Sequence, residues 1–144
     1  MSKALTIAQA MADRLNALAT LPDVDTLVWK QKDLSSEMAA KLGKSAGAVI
    51  VILYEGFKNP DANGGGRLNV TRSYTLSVFS RPVRREGTAT AADDIVEIAA
   101  AALHNWEPAE AAAGIGEIHV KSCDLRPDPL YLIYDLDVEV LSRL

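Results

Sequence analysis

The stretch that most constrains the fold is a pair of long β-strand patterns separated by a glycine-rich segment. Ala48–Tyr54 is a continuous apolar run rich in β-branched residues, as expected of a strand that is covered on both faces. Arg67–Arg81 instead alternates apolar and polar residues, which predicts a strand with one buried face. Lys58–Gly66 contains three glycines, one proline and two asparagines, a composition that predicts an exposed loop. The centre of the chain is therefore predicted to form a long β-hairpin whose loop, at about residues 58–67, projects from the body.

Two further segments carry the spacing of amphipathic helices. The first can begin at Ser2 or Thr6 and ends before Pro22, and its apolar residues recur at steps of four, four and three: Ile7, Met11, Leu15 and Leu18. The second, Thr88–His104, is rich in alanine, and its predicted buried residues are Ile95, Ile98, Ala99, Ala102, Leu103 and Trp106. A short additional helix is predicted over Asp33–Leu42.

Three more segments have strand character. Thr26–Lys30 is a short strand candidate for an edge of the sheet, and Glu117–Leu125 alternates, with Ile118 and Val120 on one face and His119, Lys121 and Cys123 on the other. Leu130–Leu141 alternates over its whole length, with its acidic residues pointing outward. The resulting order, α-β-(α)-β-β-α-β-β, predicts an α+β fold: a mainly antiparallel mixed sheet with helices on one face, in a single domain of residues 1–144.

Composition narrows the functional classes. The 144 residues are 49% hydrophobic and 24% charged, which is ordinary for a globular domain. A formal net charge of −4 argues against a general nucleic-acid binder, because neutralising phosphates requires a basic surface. Cys123 is the single cysteine, no targeting signal is visible at the start, and the longest apolar run is far shorter than a membrane span. We therefore expect a cytosolic protein with no membrane partner.

The residues that could take part in catalysis or metal binding do not form a recognisable motif in the sequence. His104 and His119 are the only histidines, and neither they nor Cys123 belong to a catalytic motif. Asp135, Asp137 and Glu139 occupy alternate positions of one strand, about 6.6 Å apart. Such a ladder could hold a metal only with help from elsewhere, so a solvated or subunit-facing surface is the favoured interpretation. The expectation is a protein that is not an enzyme and has no catalytic, metal or cofactor site.

The element order, together with the segments Ile7–Leu15 and Val51–Gly56, resembles the tail terminator, or tail completion, proteins of tailed bacteriophages. The resemblance covers nearly the whole chain and rests on pattern and length. It implies a structural ring, usually of six subunits, that caps the tail tube, ends tail polymerisation and joins the tail to the head connector. The implied partners are further copies of the chain, the tail tube protein and the connector, with DNA only passing through the lumen. The implied location is the virion tail, assembled in the bacterial cytoplasm.

The interface of such a ring would use polar residues on loops and on the exposed strand face. The central loop is longer than most hairpin loops, and long loops often carry function. The candidate contact residues are Lys58, Asn59, Asn63, Arg67, Arg81, Arg84, Arg85, Asp135, Asp137 and Glu139. The alternatives are another phage neck or baseplate component, a small α+β ligand-binding or regulatory domain, and an enzyme that uses the acidic strand face.

Overall fold

Two helices and five strands make up the part of the chain that the structure, a computed structural model, describes. The described residues are 2–21, 24–29, 48–59, 69–80, 92–108, 114–126 and 131–143. In chain order the elements are α1 (Lys3–Asn16), β1 (Asp25–Val28), β2 (Ala48–Lys58), β3 (Asn69–Ser80), α2 (Ala92–Leu103), β4 (Ile115–Arg126) and β5 (Leu132–Arg143).

The strands form one mixed sheet in the order β1-β2-β3-β5-β4. β1 lies parallel to β2 at one edge, and the other neighbouring pairs are antiparallel. The predicted α+β class with a mainly antiparallel sheet is confirmed, and so is the edge position of the first strand. The predicted helix over Asp33–Leu42 and the hairpin loop beyond Asn59 lie outside the described residues.

Both helices pack on the same face of the sheet and close the main core. α1 begins at Ser2, whose hydroxyl accepts a hydrogen bond from the Leu5 N–H at 3.2 Å. Its predicted stripe is confirmed for Ile7, Met11 and Leu15, which are fully buried. The helix ends at Asn16, earlier than predicted, so Leu18 packs against the core from beyond the helix. These side chains meet one face of the strands, where the largest buried residues are Ile50, Ile52, Tyr74, Leu76, Ile118 and Leu136.

The second helix also buries its predicted face. Ile95, Ala99 and Leu103 are fully buried, whereas Ile98, Ala102 and Trp106 are only partly buried against the core. Val96 is buried as well, although the helical stripe did not include it. A guanidinium of α1 ties the helices together: Arg14 Nε donates to the Ala102 carbonyl at 2.7 Å, and its guanidinium carbon lies 4.6 Å from the centre of the Trp106 ring.

The two strands of the predicted central hairpin pair in antiparallel fashion and lie within the sheet. β2 pairs with β3 from Ala48 opposite Ser80 to Lys58 opposite Thr71, and β3 pairs with β5 along all of its length. The first half of β2 is covered on both faces, because Val49 and Val51 form a second small cluster with Leu27, Phe79 and Tyr131. A β-bulge between Tyr54 and Gly56 interrupts the pairing, and Gly56 adopts a φ of 116°, a conformation that favours glycine.

Among the described helices, none combines the length and apolar character needed to cross a membrane.

Candidate interface on the outer sheet face

On the face of β3 and β5 that points away from the two helices, hydroxyl side chains of β3 lie opposite carboxylates of β5. We call this surface the outer face and define it by three facing pairs: Ser73 with Glu139, Thr75 with Asp137, and Ser77 with Asp135. The pattern follows from strict alternation, since the intervening residues of both strands are buried under the helices. The three acidic residues predicted as an interface therefore share one surface.

Asp137 is held by hydroxyl groups from both neighbouring strands. Thr75 Oγ1 lies 2.9 Å from one carboxylate oxygen of Asp137, and Ser122 Oγ on β4 lies 3.2 Å from the other. The Thr75 hydroxyl also contacts the carboxylate of Glu55, which reaches the same surface from the bulge in β2. A hydroxyl donates one hydrogen, so Thr75 bonds only one of these two carboxylates at a time, whereas Ser122 donates to Asp137 from the other side and orients it.

Asp135 is held by a hydroxyl group of β3 and also by the guanidinium of Arg126 on β4. Ser77 Oγ donates to Asp135 Oδ1 at 2.6 Å, and Arg126 Nε and Nη2 lie 2.9 and 3.3 Å from its two oxygens. The side chains of Arg126 and Asp135 are 49% and 23% exposed, so water screens the pair and its contribution to stability is small. The guanidinium carbon of Arg126 lies 5.7 Å from the centre of the Phe79 ring.

Glu139 is the most loosely held of the three acids. Its carboxylate lies 3.8 Å from Lys121 Nζ, and both side chains are substantially exposed. Lys121 lies between Val120 and Ser122, where the register shifts, and its contact with Glu139 places its side chain on the outer face. Glu139 is therefore held less firmly than Asp135, whose side chain is only 23% exposed.

The sequence also raised the possibility that the three acids of the outer face bind a metal ion. Within the described ranges, no group of three or more His, Cys, Asp or Glu side chains is arranged to hold a metal ion. The three carboxylates of β5 have instead the hydroxyl, guanidinium and ammonium contacts described above.

The two histidines lie at the junction of α2 and β4. His104 follows the helix, and its Nδ1 accepts a hydrogen bond from the Val120 N–H at 3.1 Å. Its ring centre is 6.0 Å from that of His119, with the two rings nearly perpendicular. The His104 side chain therefore joins the end of α2 to strand β4.

The sequence pattern predicted that Cys123 shares the polar face of β4 with His119, and this prediction is wrong. The register shift after Val120 places Cys123 opposite Leu136, a residue that faces the helices. The thiol is exposed, and its pKa is raised by partial burial and then by the nearby Asp124, Asp135 and Asp137 carboxylates. A raised pKa lowers the thiolate fraction at neutral pH and makes Cys123 a poor nucleophile.

The other predicted contact residues are only partly described. Lys58 ends β2 and is exposed, and Asn59 follows it at the surface. The remaining predicted contacts lie outside the described residues: Asn63, Arg67, Arg81, Arg84 and Arg85.

Sequence reasoning missed two charged residues of interest, Glu55 and Arg72. Glu55 directly follows the apolar run of β2, and the bulge at Gly56 could not be read from the pattern. Arg72 falls between Val70 and Tyr74 on the apolar face of β3, so the alternation itself contained the signal that an arginine would be buried.

A comparison with protein-family models finds no match for this chain, and a comparison with curated proteins finds no significant match.

Proposed function

We propose that this chain is a structural tail terminator of a phage or prophage. In this role it forms a ring, usually of six subunits, that caps the tail tube, ends tail polymerisation and joins the tail to the head connector. The chain acts by assembly and not by catalysis. Its partners are further copies of itself, the tail tube protein and the connector protein, and DNA only passes through the lumen.

The observation that best supports this proposal is that β3 and β5 have one packed face and one ordered polar face. One face is sealed by α1 and α2, while the other presents Asp135, Asp137 and Glu139 on one strand with their partners on β3 and β4. Subunit contacts in a ring must meet at one fixed rotation, because any other angle gives an open filament. Carboxylates held in fixed directions suit such a contact, since little side-chain freedom is lost on docking.

The element order supports the same proposal. The opening amphipathic helix, the long central hairpin, the alanine-rich helix and the closing pair of strands resemble the tail terminators, and the described part of the chain has this order. In the proposed assembly the outer face meets a neighbouring subunit or the tube end. The virion tail is the proposed location, with assembly in the bacterial cytoplasm.

The proposal is tested by the mass of the purified chain in solution, with and without a tail tube protein from the same genome. Sedimentation velocity should give a closed ring of discrete mass, either alone or once tube protein is added. A chain that stays monomeric under both conditions would contradict the proposal. A gene neighbourhood without tail-tube and tape-measure genes would also contradict it.

A further inference from the structure

Arg72 is a buried cation in the main core. It lies on the helix-covered face of β3, and only 5% of its surface is exposed. Arginine is seldom buried to this extent unless a carboxylate accompanies it, because a charge removed from water loses its hydration. The partners of Arg72 are therefore informative.

The groups around the guanidinium are neutral. Nε donates to Ser142 Oγ at 2.8 Å, and Nη1 lies 3.1 Å from the Tyr54 hydroxyl. The guanidinium carbon lies 5.9 Å from the centre of the Tyr54 ring and 5.8 Å from that of Phe57. Hydroxyl acceptors and aromatic faces satisfy part of the hydrogen-bonding and electrostatic demand of Arg72, but none of them carries a negative charge.

No carboxylate within the described ranges forms an ion pair with Arg72. The nearby Glu55 turns to the opposite face of the sheet and contacts Thr75 there. The first turn of α1, which Tyr74 joins to β3 through the Ala4 carbonyl, contains no acidic residue. The positive end of that helix dipole therefore adds to the positive charge on this side of the sheet.

We propose that Arg72 anchors a binding site for a single oxyanion, a carboxylate or a phosphate group. Nη2 is the part of the guanidinium that makes no hydrogen bond within the described residues, and it supplies the donor for the anion. Nη2 is not among the fully buried polar atoms of the described residues that lack a partner, so an anion can reach it from the surface. Phe57, which pairs with Arg72 across β2 and β3, is 50% exposed and lies on the side from which the anion would approach. This site lies on the helix-covered face and is independent of the outer face and of the function proposed above.

The alternative is that Arg72 is purely structural and that its two hydroxyl partners and two rings suffice. The two accounts differ in what added anions do. A built oxyanion site saturates with acetate or phosphate and stabilises the fold as it fills. If Arg72 is purely structural, the same anions act only through ionic strength and through their general, non-saturating effect on protein stability.

The experiment is an NMR titration of the full chain that follows the Nε–H signal of Arg72, assigned by its loss in Arg72→Met. Sodium acetate and sodium phosphate are added in separate series, each against sodium chloride at the same ionic strength. We expect a saturating shift of this signal that chloride does not produce. The melting temperature should rise by a few degrees at about ten times the apparent dissociation constant. Saturation at lower concentration by acetate indicates a carboxylate ligand, and the reverse order indicates a phosphate.

Arg143→Met is the matched control, because Arg143 is an exposed arginine next to Ser142. This variant should keep the anion-dependent stabilisation, and Arg72→Met should lose it. Should Arg72→Met fail to fold, Arg72→Lys retains the charge without the planar fork and should show weaker but still saturating stabilisation. An Arg72 signal that moves equally in chloride, acetate and phosphate would overturn the proposal, as would anion-dependent stabilisation that persists in Arg72→Met.

Discussion

The hydroxyl of Tyr74 donates a 2.7 Å hydrogen bond to the backbone carbonyl of Ala4, which ties the central strand to the first turn of α1. Tyr74 is fully buried beneath that turn, and its ring lies 5.1 Å from the ring of Tyr54. Burial disfavours the charged phenolate and raises the pKa of Tyr74 well above its ordinary value. One side chain therefore couples the packing of helix on sheet to the protonation of a phenol.

Tyr74→Phe should lower the free energy of unfolding by about 1 kcal/mol at pH 7, the usual net contribution of such a hydrogen bond. Above about pH 10 the unfolded wild-type chain ionises at this residue while the folded chain does not. The free energy of unfolding of the wild type should then fall by about 1.4 kcal/mol per pH unit relative to that of the variant. The stability difference between the two proteins therefore closes and then reverses. Urea unfolding of both proteins from pH 7 to 11 measures this, and two parallel stability curves would refute it.

Apolar spacing predicted most of the fold because it records burial directly. The steps of four from Ile7 to Leu15 match the face of α1 that packs on the sheet, and Leu18 packs against the core just beyond the end of the helix. Alternation in β3 and β5 likewise assigned the helix-covered and outer faces of both strands. Local periodicity was sufficient for these elements because each is regular along its whole described length.

The features that the sequence did not reveal depend on neighbouring strands. The register shift after Val120 moves Cys123 to the other face of β4, and periodicity cannot detect an inserted residue. The acids of the outer face could be predicted from β5 alone, but the hydroxyl partners of Asp135 and Asp137 follow only from the pairing of β3 with β5. Arg72 was missed because its apolar neighbours dominated the pattern.

Two isoleucines of α2 provide a matched test of the core. Ile95 is fully buried and Ile98 only partly, although the helical spacing gave both to the same stripe. Ile95→Ala should cost about 2–5 kcal/mol in the free energy of unfolding, and Ile98→Ala clearly less, because a smaller cavity forms. Urea unfolding measures both costs, provided that the m-values of the variants equal that of the wild type. Equal costs for the two variants would mean that α2 is rotated so that Ile95 and Ile98 are buried to the same extent.

The histidines and the cysteine should be dispensable for assembly. His104→Ala removes one acceptor from the Val120 N–H and should cost about 1 kcal/mol or less, since the site is exposed to water. His119→Ala and Cys123→Ser should change the melting temperature by even less. All three variants should form the same oligomer as the wild type in sedimentation. A folded variant that loses assembly would assign that residue a functional role.

The outer face should matter for assembly much more than for stability. Asp135→Asn combined with Asp137→Asn removes two charges but keeps the side-chain size, and the expected change in the free energy of unfolding is about 1 kcal/mol or less. The same variant should fail to assemble in sedimentation velocity. Glu117→Gln, an exposed acid of β4, is the control and should assemble normally. Normal assembly of the double variant would place the interface elsewhere on the chain.

The length distribution of tail tubes tests the central claim most directly. Tubes are assembled from the cognate tail tube protein and tape measure, with and without this chain, and measured by negative-stain microscopy. Addition of the wild-type chain should give tubes of one length, each capped at one end by a ring, whereas its omission should give over-long tubes. Tubes whose length and ends are the same with and without the chain would contradict the proposed role.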